Sequence, residues 1–135
     1  MFKLIKIVNS GTNVPEPCKL PKSLTTTMKI GMPLILKDGK VCGCGETDKP
    51  THIAMCNVGN GDKEVLCYEV NSNMHFETIA SISPTALSLG KTYTLAIDND
   101  GIGFGVTAAT TSGVATIIDL CGAKAAGDKI TVKFN

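Results

Sequence analysis

The chain is expected to be all-β, a small barrel or sandwich with at most one short helix, and three observations carry that expectation. The last third holds three alternating runs, Lys91–Ile97, Val114–Leu120 and Lys129–Phe134, separated by small and turn-forming residues. Tyr93, Leu95 and Ile97 share one face of the first run, and Ile130, Val132 and Phe134 share one face of the last, with Thr and Lys opposite. A period of two is what a half-buried antiparallel strand requires. Helix has little room, because Gly and Pro recur so often that only Asp62–Ser83 is long and free of both, and Leu66, Tyr68 and Val70 within it are again at strand spacing. Turn chemistry is the third observation: Asp38-Gly39 suits a two-residue hairpin, whose central residues need positive φ, and Asn60-Gly61-Asp62 and Asn99-Asp100-Gly101 mark two more turns.

The strands read in order are Phe2–Val8, Leu34–Lys37, Lys40–Cys44, Thr51–Asn57, Val65–Val70, His75–Ser81, Thr92–Ile97, Gly103–Thr107, Val114–Leu120 and Lys129–Phe134. A short helical turn is expected at Pro84–Leu89, with Ser83 as N-cap and Pro84 at the first helical position. Residues 9–27 differ, with little periodicity and prolines at 15, 17 and 21. Such a stretch can span on the order of 60 Å when extended. Two placements are open: Phe2–Val8 as a detachable strand at the tip of an arm, or as a strand returned to the chain's own sheet by a meandering loop. The arm reading divides the chain into an N-terminal strand and arm, 1–27, and a β-rich domain, 28–135.

At 135 residues with 43% hydrophobic content, the chain can bury a real core. Thirteen basic and twelve acidic residues leave a formal charge of +1, so no overall field draws nucleic acid or anionic lipid. All the basic residues are Lys, which removes the bidentate Arg fork, and with no Trp and few Phe and Tyr there is little to stack on bases. Nucleic acid and membrane are not expected as partners. Lys3 and Lys6 interrupt the first apolar run, so no secretory signal is read there, and no stretch approaches the ~18 apolar residues of a membrane span. The six cysteines (18, 42, 44, 56, 67, 121) are then expected as thiols from a reducing cytoplasm.

No constellation for chemistry stands out. Cys42 and Cys44, at i and i+2, could with Cys56, Cys67, His52 and His75 surround a soft metal, but no Cys-x-x-Cys pair occurs and buried Cys is a small hydrophobe. Asp98-Asn-Asp-Gly101 opens like a calcium loop, yet the position of the bidentate carboxylate holds Ala109. A Cys–His hydrolase would draw on His52 or His75, both explained as strand residues, and Gly101–Gly105 lacks the following helix of a phosphate cradle. Thr107–Gly113 reads as a flexible hairpin tip. Neither catalytic residues, nor a metal, nor another cofactor is expected.

Gly31–Met55, with its Lys37-Asp-Gly-Lys40 hairpin followed by Thr47-Asp48, resembles the opening of tailed-bacteriophage head decoration proteins of the lambda type, and Gly101–Phe134 is similar to the closing half of small proteins from phage head regions. The resemblance implies a structural protein made in the host cytoplasm and carried on the capsid exterior. It would act as a homotrimer that clamps neighbouring major capsid proteins and stabilises them. It further implies an N-terminal arm that adds a strand to the capsid, here Phe2, Lys3, Leu4, Ile5, Lys6, Ile7 and Val8. The absence of a fibre repeat, a heptad or an aromatic lectin platform argues against a long head fibre. The alternative is a β-sandwich module for carbohydrate or protein on a virion surface or tail.

Overall fold

In a computed structural model describing residues 1–135, the chain is all-β. Its strands are β1 (Lys3–Ile7), β2 (Pro17–Pro21), β3 (Pro33–Lys37), β4 (Lys40–Gly43), β5 (His52–Ala54), β6 (Glu64–Glu69), β7 (Met74–Ala80), β8 (Thr92–Tyr93), β9 (Leu95–Ile97), β10 (Gly103–Val106), β11 (Ala115–Asp119) and β12 (Lys129–Phe134). The helical turn before β8 is a single 3-10 turn, Pro84–Ala86, and Ser83 makes no capping bond to its backbone.

The strands form two sheets, and each nearly closes on itself. The larger runs β8-β11-β12-β7-β10-β9, with β1 sharing the β10 side of β7. The expected strand Thr92–Ile97 is thus two pieces with different partners, β8 on β11 and β9 on β10. Thr94 sits at the changeover, its N–H donating to Ala109 O and its hydroxyl 2.7 Å from that of Thr107. Because β8 and β9 are consecutive yet end the sheet on opposite sides, their junction rolls it into a barrel. The smaller sheet runs β2-β6-β5-β3-β4, and a parallel bridge between Lys22 and Val41 brings its two ends together.

Two cores follow from this arrangement. Leu34, Val41, Ala54, Val65 and Cys67 fill the small barrel with Met28 and Met32. Its outer wall contributes Ile53 and Tyr68 to the larger core, where Phe76, Leu95, Ile117, Ile130, Val132 and Phe134 are also buried. The alternation in Val65–Tyr68 therefore separates two apolar environments, with Tyr68 in one and Cys67 in the other.

The free arm is corrected by this fold. β1 pairs antiparallel with β7, and Phe2 is buried at 1% exposure with its ring 5.3 Å from that of Phe134. Burying a phenylalanine gains more than a solvated strand tip could offer. Residues 17–21, expected as linker, are β2, paired along their length with β6. Their pattern does alternate, with Cys18 and Leu20 turned inward and the prolines at the strand ends, where a missing donor costs least. A boundary between 27 and 28 separates nothing, since β2 and β6 lie on either side of it.

The imperfect alternation of Leu4, Ile5 and Ile7 also has a local cause. The register slips between Leu4 and Lys6, so Ile5 is the extra residue of a β-bulge, and Leu4 and Ile7 both pack on the larger core. The glycines of Gly101–Gly105 serve close approach: a side chain at Gly103 would strike Pro33, and one at Gly105 the backbone of Ile79 on β7.

Lys22, at 1% exposure, has no carboxylate partner. Its Nζ donates to the carbonyls of Ser23 (2.8 Å), Asp62 (3.0 Å) and Gly59 (3.2 Å). One side chain thereby satisfies acceptors from two loops at the closure of the small barrel.

Two stability measurements check this account. Phe2→Ala should lower the unfolding free energy by about 3–5 kcal/mol in denaturant titration, the range for emptying a buried aromatic site, whereas a detached arm would leave it unchanged. Lys22→Met, which keeps the volume and removes the donors, should cost about 1–3 kcal/mol by leaving these part-buried acceptors without their donor.

Candidate interaction surface

The N-terminal strand forms one wall of a largely apolar groove of about 370 Å³. Met1–Leu4 line it on one side, Ile53, Met55 and Tyr68 of the small barrel on the other. Met1 and Ile30 at the groove are 58% and 54% exposed, and Ile5 and Val14 add exposed apolar surface on the neighbouring chain.

Local structure sets the groove's shape. Gly31 holds φ +79°, and a side chain there would collide with Met1. Phe2 N–H donates to Gly31 O at 2.9 Å and Gly31 N–H to Ala54 O at 2.8 Å, so β1 is stitched to the small barrel as well as to β7. The amino group of Met1 reaches Phe104 O at 3.2 Å. At the far end Ile7 N–H donates to Asn13 Oδ1 at 2.9 Å, which folds the following loop against β1.

Of the residues expected to contact a capsid, Phe2 is buried and Leu4, Ile7 and Val8 are half-buried, leaving Lys3, Ile5 and Lys6 exposed. The groove itself depends on Ile30, Ile53, Met55 and Tyr68, distant in sequence, and no periodicity along Phe2–Val8 could have pointed to them.

The groups weighed for chemistry are mostly absorbed by structure. Asp98 Oδ1 accepts from the N–H groups of Asp100 and Ile102, both at 2.9 Å, which makes Asp98–Gly101 a hairpin turn. Asp48, Asp62 and Asp119 accept loop N–H groups in the same way. Asp128 does so twice, and those two bonds hold its carboxyl below its usual range. Cys44 is buried in the larger core, where desolvation and then Asp48 push its thiol up, while Cys42 stays half-buried near Ile35 O. From the proposed ligand set, the fold gathers Cys67 and His52 and adds Cys18, which spacing alone did not suggest; the ligand atoms of these three lie within 4.8 Å of one another. Burial, then the Cys18 thiol, raise the Cys67 thiol to about 12. Burial lowers the His52 imidazole, with Glu69 opposing. His75 stands across from Lys6 on β1. Burial and then Lys6 and Lys133 hold its imidazole below the ordinary 6.5.

No protein-family model matches the chain, and no curated protein does. Among solved structures, the fold is similar to the N base of head fibre gp8.5 of bacteriophage phi29, known from its crystal structure. The TM-score is 0.54 at 14% identity, over 89% of this chain and 95% of that one. At that identity the likeness is one of fold.

One pH dependence follows from His75. The unfolded chain takes up its proton at a higher pH than the folded one, so stability should fall as pH drops below 6.5 towards the depressed folded value. Thermal midpoints measured from pH 7.5 to 5, for the unmodified protein and for His75→Gln, should show a shallower acid limb in the variant.

Proposed function

We propose that this protein is a structural component of a phage virion that seats on the outside of the capsid and binds the major capsid protein through the groove beside β1. The observation that carries this reading is the likeness of fold, over nearly the whole chain, to the base of a phage head fibre. The lambda-type resemblance read from Gly31–Met55 and Gly101–Phe134 points to the same location. In the finer form of the proposal, three copies assemble around a symmetry axis of the shell and stabilise contacts between neighbouring capsid subunits.

The groove suits such a role physically. An extended segment of a capsid protein could lie in this groove, burying side chains against Met1, Ile30 and Met55. With no Arg or Trp to anchor an interface, affinity would come from aliphatic contact and from repetition over many equivalent sites.

The test is co-sedimentation of the purified protein with heads assembled from the major capsid protein of the same genome. Saturable binding is expected, weakened at least tenfold by Ile30→Asp, whose exposed position should leave unfolding within about 0.5 kcal/mol of the parent. Absence of binding to both expanded and unexpanded heads would refute the proposal, and saturable binding to a glycan instead would favour a carbohydrate module.

A further inference from the structure

Cys18 on β2, His52 on β5 and Cys67 on β6 meet inside the small barrel, three ligands borne by three different strands. We propose that they form a binding site for a single zinc-class divalent ion.

The geometry is already near what such an ion needs. Cys18 and Cys67 are directly opposed across the β2–β6 ladder, and their Sγ atoms are 3.9 Å apart. Two thiolates bound to one tetrahedral zinc at about 2.3 Å stand about 3.8 Å apart, so little movement is required.

Thr51 orients the histidine ring through Nδ1. Thr51 Oγ1 accepts from Leu36 N–H at 2.9 Å and gives its own proton to Leu34 O at 3.5 Å. His52 Nδ1 lies 2.9 Å from the Thr51 hydroxyl oxygen, and with Nδ1 as the donor of this bond Nε2 keeps its lone pair for an ion. A ligating histidine is commonly oriented by such a bond from its other nitrogen.

Charge selects the class of ion. Two thiolates neutralise a divalent cation, and a neutral site is the kind a barrel interior tolerates. Without metal, burial of Cys67 favours its protonated form, and a site with both thiols protonated is again neutral. On binding, the ion displaces these two protons to solvent and nothing is oxidised or reduced. Cys18 is only half-buried and lines a surface cavity of about 410 Å³ with Glu69 and Met74, which supplies an approach and room for a water as fourth ligand. Bound there, the ion would tie β2 to β5 and β6.

Metal-free reduced protein titrated with Co²⁺ should develop a thiolate-to-cobalt charge-transfer band saturating at one ion per chain, and Zn²⁺ should displace it. The band should survive in Cys121→Ser, an exposed thiol outside the cluster, and be lost in Cys18→Ser and His52→Ala. In the unmutated protein, which avoids any folding defect of a variant, Zn²⁺ should protect Cys18 from alkylation and a chelator should restore its reactivity. No band with the unmutated protein, a band that persists in Cys18→Ser, or Cys18 alkylated equally with and without Zn²⁺ would each overturn the proposal.

Discussion

Three phenylalanine rings hold the fold together where β1, β7 and β12 lie side by side. Phe134 on the last strand stacks at tilted angles on Phe76 of β7 and on Phe2 ahead of β1, with centroids 5.1 and 5.3 Å away. Tilted pairs at such separations add about 0.5–1.5 kcal/mol each beyond their burial. With few aromatics in the chain and no Trp, this cluster is a large share of its aromatic burial. Its position fixes the N-terminus against the larger sheet, and from that contact follow the course of β1, the bond from Phe2 to Gly31, and the groove between the two barrels.

Polar groups close what the apolar core begins. The small barrel ends at a lysine that donates to three carbonyls, and loop N–H groups are taken up by Asp48, Asp62, Asp98, Asp119 and Asp128. Only two ion pairs are present, Lys37–Asp48 and Lys129–Glu77, and both are substantially exposed, so they contribute little. Lys22 and these five Asp thus act as hydrogen-bonding groups for the turns. The formal charge is +1, and the groove beside β1 is lined mostly by apolar side chains.

The strand content was legible because period-two burial acts locally: each of Ile130, Val132 and Phe134 is inward for the same reason its neighbours are not, and Lys129–Phe134 is found with the expected bounds. The hairpin at Asp38-Gly39 was legible for a similar reason, since positive φ at both residues, +50° and +77°, is a property of the residues themselves. β2 was obscured by its terminal prolines, which read as breakers along the chain although at strand ends they cost almost nothing. The bulge at Ile5 shifted the alternation of β1 by one residue, so Phe2–Val8 read as a strand but not as one paired within its own sheet.

By itself, then, the sequence determined an all-β chain, its hairpins and most of its inward faces, because each of these rests on interactions between residues close along the backbone. Only the tertiary structure decided where Phe2–Ile7 goes, how the sheets close, and which side chains gather across them. The groove of Met1, Ile30 and Tyr68 and the cluster of Cys18, His52 and Cys67 are set by strand order and register. Those depend on which distant apolar faces exclude water together, and sequence spacing carries no record of that pairing.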